Sequence, residues 1–144
     1  MKIFLIGFMG AGKSTTGKQL SEQLHIPFFD LDEEIEKAEG KTVAEIFDAD
    51  GEDYFREVER EELEKLLDFE QAVIATGGGT PCYFSNLELM KSNGKVVYLK
   101  QPVEVLVERL KEQQAQRPLL KHIHLDNLES YVRKKLVERE NFYT

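Results

Sequence analysis

The feature that most constrains the fold of this sequence is a glycine-rich stretch near its N-terminus, residues 7–14, GFMGAGKS. Two glycines separated by four residues and followed by Lys13 and Ser14 match the phosphate-loop pattern. An apolar run at residues 3–6 precedes the loop and is typical of a buried parallel strand. Residues 14–24 follow it and carry leucines four apart, which indicates a helix. The order strand, glycine loop, helix is the context that this pattern requires.

Each part of this stretch has a physical task in binding an anion. Glycines let the chain turn tightly with its N–H groups facing inward, and the helix that follows adds the positive end of its dipole. Lys13 can reach the outer phosphates as a point charge, and the hydroxyl of Ser14 can bind Mg²⁺. The alternative, a glycine-rich turn with a solvated lysine, explains neither the spacing nor the Lys-Ser pair. We therefore predict a nucleoside-triphosphate site. The residues predicted to contact the nucleotide are Gly10, Ala11, Gly12, Lys13, Ser14 and Thr15.

Length and composition limit the other possibilities. With 144 residues, the chain is predicted to form a single domain, residues 1–144, that is large enough for a sizeable core. Its net charge of -8 argues against general binding to nucleic acid or to a membrane surface. Its one cysteine, Cys82, excludes an intramolecular disulfide and a cysteine-based metal site. It shows no signal peptide and no apolar run of the roughly 20 residues that span a membrane, so we expect a cytoplasmic protein.

The rest of the sequence alternates between strand-like and helix-like segments. A Thr at residue 42 and a Glu at residue 45 form a capping box that opens a helix, and Gly51 interrupts this helix. The last helix follows Asp126 and is expected to turn Leu128, Val132, Leu136 and Val137 inward. Alternating strands and helices predict an α/β fold, with a mostly parallel sheet flanked by helices on both faces. Strands are predicted at residues 3–6, 25–29, 72–75 and 95–99, and helices at 14–24, 33–39, 42–67, 84–91 and 103–111.

Acidic residues and glycines follow two of the predicted strands. Asp30 and Asp32 lie two residues apart on the carboxyl end of the second strand, so both can face the same side. At this edge of an α/β sheet, one carboxylate can organise the water shell of Mg²⁺ and the other can hold an acceptor hydroxyl and draw on its proton. The alternative is that Asp32 caps the next helix beside a solvated charge. The three glycines of residues 77–79 follow the third strand and let another group approach the backbone closely.

Two arginines have no assignable task from spacing alone. Arg56 lies on a helix rich in glutamate, where helical spacing pairs it with Glu52 or Glu59. Arg117 lies in the polar segment 112–124, which has little periodicity. A polar insertion between helices at the ligand edge is often a mobile lid. An arginine there is solvated unless closure of the lid brings it to the transferred phosphoryl group.

Taken together, the sequence resembles the shikimate kinases. The resemblance covers nearly the whole chain and keeps the order of the family's motifs. It implies a P-loop kinase fold, with substrate-binding helices at about residues 31–67 and a lid at about residues 112–124. The motifs that carry it are the phosphate loop, Asp30-Leu31-Asp32, Phe55-Arg56-Glu57-Val58-Glu59, Gly77-Gly78-Gly79, Arg117-Pro118-Leu119-Leu120 and Arg139 before Tyr143.

The resemblance also implies a reaction, the ATP-dependent phosphorylation of the 3-hydroxyl of shikimate on the route to aromatic amino acids. It implies Mg²⁺ held by Ser14 and Asp30, and ATP and shikimate as the partners of a monomer that binds neither nucleic acid nor membrane. Catalysis would depend on Lys13, Asp32 and Arg117, and Arg117 would also contact ATP. Glu59 would orient Arg56. The residues implied to bind shikimate are Asp32, Arg56, Gly77, Gly78, Gly79 and Arg139.

One departure from the family and two alternative functions remain at this point. Shikimate kinases usually continue beyond the region of Arg139 into a fifth strand, an adenine-contacting loop and a C-terminal helix, and this sequence supplies none of them. A gluconate-type sugar-acid kinase uses the same scaffold, but the FRxxE motif and the three glycines favour shikimate. A non-catalytic nucleotide-binding module is the other alternative. The retained set of Asp32, Arg117 and Arg139 argues against it.

Overall fold

The computed structural model describes residues 2–8, 11–113 and 127–143, and it shows a layered α/β architecture. None of the helices in these residues is both long enough and apolar enough to cross a membrane. The strands are β1 Lys2–Ile6, β2 Phe28–Asp30, β3 Ala72–Ala75 and β4 Gly94–Tyr98. The helices are α1 Lys13–Leu24, α2 Leu31–Glu39, α3 Val43–Leu66, α4 Asn86–Asn93, α5 Val103–Gln113 and α6 Leu128–Tyr143, with a short 3-10 turn at Thr80–Cys82.

The four strands form one parallel sheet in the order β2-β3-β1-β4, which confirms the predicted sheet. The central strand β1 pairs with β3 on one side and with β4 on the other, so that Phe4 lies between Ile74 and Val96. Both strands at the centre of the sheet are largely apolar because helices cover both faces. Since all strands are parallel, their carboxyl ends meet at one edge, where the first strand leads into the phosphate loop.

Helices pack against both faces of the sheet, as the alternation of side chains in β1 shows. Phe4 and Ile6 belong to the main core, together with residues of α2, α3, α5 and α6. Leu5 points the other way, towards Gly17 of α1. A β-carbon on Gly17 would lie 3.2 Å from Leu5 Cδ1 and would overlap the ring of Phe28. The absent side chain therefore lets α1 lie close to the sheet and brings the start of the helix to the sheet's carboxyl edge.

The position of Asp32 differs from the sequence-based expectation. Only Asp30 ends a strand, because α2 begins at Leu31 and Asp32 lies in the first turn of that helix. The N-cap is Asp30, whose Oδ1 accepts hydrogen bonds from the N–H groups of Asp32 at 3.0 Å and Glu33 at 3.4 Å. Placing both acids on a strand end, with Asp32 as the possible cap, was therefore wrong. A cap that precedes the helix by one residue satisfies the first unpaired N–H groups better.

Helix α3 carries the polar residues of the site on a well-anchored element. The predicted capping box is confirmed: Thr42 Oγ1 accepts from the N–H of Glu45 at 3.1 Å, and Glu45 Oε1 accepts from the N–H of Thr42 at 2.9 Å. Gly51 has φ 87° and ψ 170°, which confirms the predicted interruption and divides α3 into two helical parts. In the core, the rings of Phe47 and Phe55 pack with centroids 4.8 Å apart.

Helix α6 faces the core in a way that only part of the apolar pattern predicts. Leu128 and Val132 are fully buried and Leu136 is half-buried, as expected. Val137 is 77% exposed, so its predicted inward orientation was wrong. The inward face continues at Arg139, three residues after Leu136, and this arginine is buried. The helix thus places a guanidinium where the apolar pattern suggested another core side chain.

Candidate active site

The phosphate loop connects β1 to α1 as predicted. Gly12 has φ 92°, a left-handed conformation that favours glycine, and α1 begins at the next residue. Gly7 also needs to be glycine, because a β-carbon there would lie 2.6 Å from the carbonyl oxygen of Leu99. The N–H of Ala11 donates to the carbonyl of Phe8 at 3.1 Å, which closes the turn. The predicted loop residue Gly10 lies outside the described residues.

Lys13 is held inside this loop. Its side chain is buried, and its Nζ donates to the carbonyl oxygens of Gly7 at 2.5 Å and Phe8 at 3.3 Å. Both acceptors are neutral backbone groups, so a phosphate oxygen would be a stronger partner for the ammonium. The geometry therefore places the cation where the phosphates of a nucleotide would bind at the start of α1.

Two oxygen groups suited to Mg²⁺ lie next to the loop. Ser14 Oγ, in the first turn of α1, donates to Asp30 Oδ2 at 2.6 Å. The other oxygen of Asp30 caps α2, so this carboxylate is fixed by two helices at once. Mg²⁺ prefers a few protein oxygens and keeps several waters, and a hydroxyl with a carboxylate fits this preference. The sequence predicted both residues but not their direct contact.

A cleft of about 670 Å³ opens at the carboxyl edge of the sheet and brings together most of the predicted site residues. The start of α1, the two aspartates and the glycine turn all contribute to it. Three of the predicted site residues that the structure describes do not line the cleft: Arg56, Gly79 and Arg139. They belong to a cluster beside it. Arg117 and most of the predicted lid lie outside the described residues. The described lining residues are Ala11, Gly12, Lys13, Ser14, Thr15, Thr16, Asp30, Asp32, Glu33, Thr76, Gly77, Gly78, Gln101 and Arg109.

Arg56 lies between two glutamates, and both of the pairings expected from helical spacing are present. Its Nη1 donates to Glu59 Oε1 at 3.1 Å, and its Nη2 and Nε donate to Glu52 Oε2 at 3.2 and 3.3 Å. Arg56 is buried, whereas the side chain of Glu52 is 40% exposed. Burial alone would lower the pKa of Arg56, but the adjacent Glu59 raises it, and the net direction is upward. The guanidinium is therefore charged at every physiological pH.

Glu59 is fully buried and accepts hydrogen bonds from Arg56. Besides the arginine, Thr80 Oγ1 donates to Glu59 Oε2 at 2.8 Å. Burial raises the pKa of the Glu59 carboxyl, while Arg56, Thr80 and Arg139 act in the opposite direction. A carboxylate at this depth is tolerated because hydrogen bonds and cations surround it.

Gly77 joins the cleft to this cluster. A β-carbon on Gly77 would lie 3.3 Å from Asp32 Oδ1 and 3.4 Å from Glu59 Oε2, so both carboxylates adjoin the same glycine. The N–H of Gly77 donates to Thr80 Oγ1 at 2.9 Å and is thus engaged within the protein. Thr80 was missed in the sequence, although a threonine directly after three glycines is the signal that could have revealed it.

Arg139 completes the cluster from α6. It is 6% exposed, and its guanidinium carbon lies 5.4 Å from the centroid of the Phe8 ring in the phosphate loop. Burial raises the pKa of both Glu59 and Tyr83, and the nearby charge of Arg139 acts in the opposite direction on each. Its buried Nη1 has no hydrogen-bond partner among the described residues. A buried charged donor in this condition is costly, and an anion that reaches it would be bound strongly.

The close approach of Gly79 to Arg56 gives a first prediction. A β-carbon on Gly79 would lie 2.7 Å from Arg56 Nη2, although the backbone at φ -97° accepts alanine. In Gly79→Ala we expect the guanidinium to be displaced and the free energy of unfolding to fall by about 1–3 kcal/mol. Chemical denaturation would measure the change.

A double variant identifies the cause. Because the overlap is with the guanidinium, Gly79→Ala should cost almost no further stability when it is added to Arg56→Ala. An equal loss of stability in both backgrounds would contradict the overlap with Arg56.

The fold and the site define a class of protein. A parallel sheet that leads into a glycine loop, with a lysine and an oxygen pair at the start of the next helix, is the apparatus of a P-loop phosphotransferase. Buried arginines on α3 and α6 lie beside this apparatus, and their planar donors suit a carboxylate or a phosphate. The described residues therefore combine a phosphate loop with neighbouring buried arginines, as expected of a kinase that acts on a small acidic molecule.

Comparison with known proteins gives the family. A family model described as shikimate kinase matches residues 9–144. The shikimate kinase of Azobacteroides pseudotrichonymphae is 46% identical, over 99% of this chain and 84% of that protein. The chain belongs to the shikimate kinase family and is an ATP-using enzyme of the kinase class.

Solved structures agree with the fold and the family. The crystal structure of shikimate kinase from Bacteroides thetaiotaomicron superposes with a TM-score of 0.92 at 45% identity, covering 99% of this chain and 81% of that chain. Shikimate kinase from Acinetobacter baumannii, solved in complex with shikimate, also has a TM-score of 0.92, at 41% identity, covering 99% of this chain and 77% of that chain. Both similarities confirm the resemblance that the motifs indicated.

Proposed function

We propose that this chain transfers the γ-phosphoryl group of ATP to the 3-hydroxyl of shikimate and releases ADP and shikimate 3-phosphate. The family supports the reaction, and the similar shikimate kinase from A. baumannii was solved in complex with shikimate. The observation within this chain that carries the proposal is the buried Nη1 of Arg139, which has no hydrogen-bond partner among the described residues. Arg139 and the buried Arg56 both act electrostatically on Glu59. A small acceptor with a carboxylate group would complete this cluster.

The proposed chemistry is an in-line displacement. The acceptor hydroxyl oxygen forms a bond to the γ-phosphorus while the bond between that phosphorus and the β–γ bridging oxygen breaks, and ADP leaves with the electron pair. Asp32 aligns the hydroxyl and takes its proton as the new bond forms. Lys13 balances the negative charge on the phosphates from inside the loop. The geometry that supports these roles is that Asp32 and Lys13 line the same cleft.

We propose that Ser14 and Asp30 would hold Mg²⁺, since their oxygens are already in contact and are fixed by two helices. When bound, the ion supplies positive charge that offsets the charge of the phosphate oxygens. Arg117 is proposed to add a further cation, on the strength of the resemblance of its motif alone.

Arg56 and Arg139 are proposed to bind the carboxylate of the acceptor, and the turn formed by Gly77, Gly78 and Gly79 to contact its hydroxyl groups. Because the N–H of Gly77 is engaged by Thr80, we propose that the contribution of this glycine is close approach rather than donation. The chain is proposed to act as a monomer, and its net charge of -8 disfavours nucleic acid and anionic membranes as partners. The use of ATP supports a cytoplasmic location.

Coupled ADP release with Mg·ATP tests the proposal. We expect turnover with shikimate and none above the blank with gluconate or without an acceptor. Turnover with gluconate instead would overturn the choice of substrate and leave the phosphotransferase class intact. If ATP binds but neither acceptor is turned over, the alternative of a non-catalytic nucleotide-binding module replaces the proposal.

A further inference from the structure

Tyr83 is a residue that neither the motifs nor the proposed chemistry uses, yet it contacts Arg56 directly. It follows the 3-10 turn at Thr80–Cys82, in extended conformation. The guanidinium carbon of Arg56 lies 4.2 Å from the centroid of the Tyr83 ring, which is closer than its 5.2 Å distance to the Phe55 ring. At such distances an aromatic face attracts a cation, and the attraction is stronger where water is excluded.

The hydroxyl of Tyr83 closes a ring of contacts. It donates to Glu52 Oε2 at 3.1 Å, and the same oxygen accepts from Arg56 Nη2 and Nε. Burial raises the pKa of Tyr83, so the phenol keeps its proton and remains a donor. One tyrosine therefore covers the face of the guanidinium and also anchors the carboxylate that holds its edge.

Glu52 needs this anchor. Its side chain is 40% exposed, and an ion pair with so much access to water contributes little order by itself. On the opposite edge, the fully buried Glu59 fixes only one end of the guanidinium. Without Tyr83, the arginine could rotate about that end, and its donors would no longer be aligned with an incoming carboxylate.

From these contacts we propose that Tyr83 is a positioning residue, which holds the guanidinium of Arg56 in the orientation that receives the carboxylate of the acceptor. The proposal rests on the function proposed above, in which Arg56 binds that carboxylate. It assigns to the segment after the glycine turn a part in selecting an acidic substrate. Because the guanidinium is already held in one orientation before the substrate binds, less conformational entropy is lost on binding.

Two substitutions separate the ring from the hydroxyl. In Tyr83→Leu, which removes both, we expect the KM for shikimate to rise about tenfold, with kcat within about twofold and the KM for ATP unchanged, because the lost interaction contributes equally to the bound and transition states. In Tyr83→Phe, which keeps the ring, the KM should rise only about twofold. Tyr54→Phe is the matched control, because it also removes a tyrosine-glutamate hydrogen bond, to Glu39, without touching Arg56. Its kinetic constants should not change.

An uncharged substrate distinguishes positioning from general stabilisation. With the carboxamide analogue of shikimate, Arg56 has no carboxylate to bind, so the loss of kcat/KM caused by Tyr83→Leu should disappear. A loss of equal size on both substrates, or an unchanged KM for shikimate in Tyr83→Leu, would overturn the proposal.

Thermal unfolding of each variant shows whether the fold is retained. If Tyr83→Leu does not fold, the hydrogen bond from Tyr83 to Glu52 is tested instead. Tyr83→Phe should not raise the KM for shikimate further when it is added to Glu52→Ala. A rise as large as in the wild-type background would overturn the role assigned to this hydrogen bond.

Arg56→Lys separates this inference from the proposed function. If this variant leaves the KM for shikimate unchanged, the proposed role of Arg56 fails and the inference fails with it. If Arg56→Lys raises that KM but Tyr83→Leu does not, only the inference fails. When both raise it, Tyr83→Leu should add little to Arg56→Lys, because the two changes act on the same guanidinium. If the double variant instead raises the KM by the product of the two separate factors, Tyr83 acts elsewhere and the inference is overturned.

Discussion

Replacing Asp32 by Asn is expected to lower kcat on shikimate by a factor of about 10²–10⁴, the usual effect of losing a general base. Asparagine has nearly the shape of aspartate and can still contact a hydroxyl, but it cannot accept its proton. The cation Lys13 and the Ser14–Asp30 pair are untouched, so the affinity for ATP should change little. Quenched-flow or coupled turnover assays, together with equilibrium binding of ATP, would measure both quantities.

The fold should tolerate this change. Asp32 is half-buried in the first turn of α2, and its N–H donates to Asp30, a contact that does not depend on its side chain. Loss of one negative charge near the positive end of the helix costs about 0.3–1 kcal/mol, which is small beside the expected kinetic effect. A fall in turnover of this size therefore cannot be explained by unfolding.

Glu33→Gln is the matched control for Asp32→Asn. Glu33 is the next residue of the same helical turn, it lines the same cleft, and it is exposed. The control removes the same charge from the same helix end, so it corrects for effects of the general electrostatic field on ATP and on Mg²⁺. If both variants lose turnover equally, or if Asp32→Asn keeps full turnover, Asp32 does not act as the base.

The local elements of this protein could be predicted because their signals are local. The apolar run of β1, the spacing of the glycine loop and the capping box at Thr42 and Glu45 each specify a backbone conformation within a few residues. Boundaries were less accurate. Asp30 ends a strand, caps α2 and binds Ser14, and this triple use depends on how β2 lies beside α1, which no short segment of sequence contains.

The contacts around Arg56 could be predicted only in part. Helical spacing gave both glutamate partners of Arg56, since residues three and four apart lie on one helix face. Thr80 and Tyr83 reach the same cluster from the turn after β3, and their contacts depend on how that turn packs against α3. Long-range contacts of this kind leave no periodic pattern in the sequence.

The role proposed for Arg139 combines a cost in stability with a gain in binding, and this leads to the last prediction. We expect Arg139→Met to raise the KM for shikimate about hundredfold, because a buried charge-assisted contact to the carboxylate is lost. The same change should leave the free energy of unfolding equal or raise it by about 1–2 kcal/mol, because an apolar side chain of similar length replaces a buried donor that lacks a partner among the described residues. Kinetics and urea denaturation would be measured on the same preparation.

Arg133→Met is the control for Arg139→Met, in which substrate binding should weaken while stability is kept or increases. Arg133 lies on the same helix, but it is exposed and donates to Glu129 at 3.0 Å on the surface. Its loss should leave the KM for shikimate unchanged. The free energy of unfolding should change by no more than about 0.5 kcal/mol. If Arg139→Met instead destabilises the protein by more than about 1 kcal/mol and leaves the KM unchanged, the guanidinium serves to neutralise Glu59 within the core. In that case the carboxylate of the acceptor must be bound by Arg56 without it.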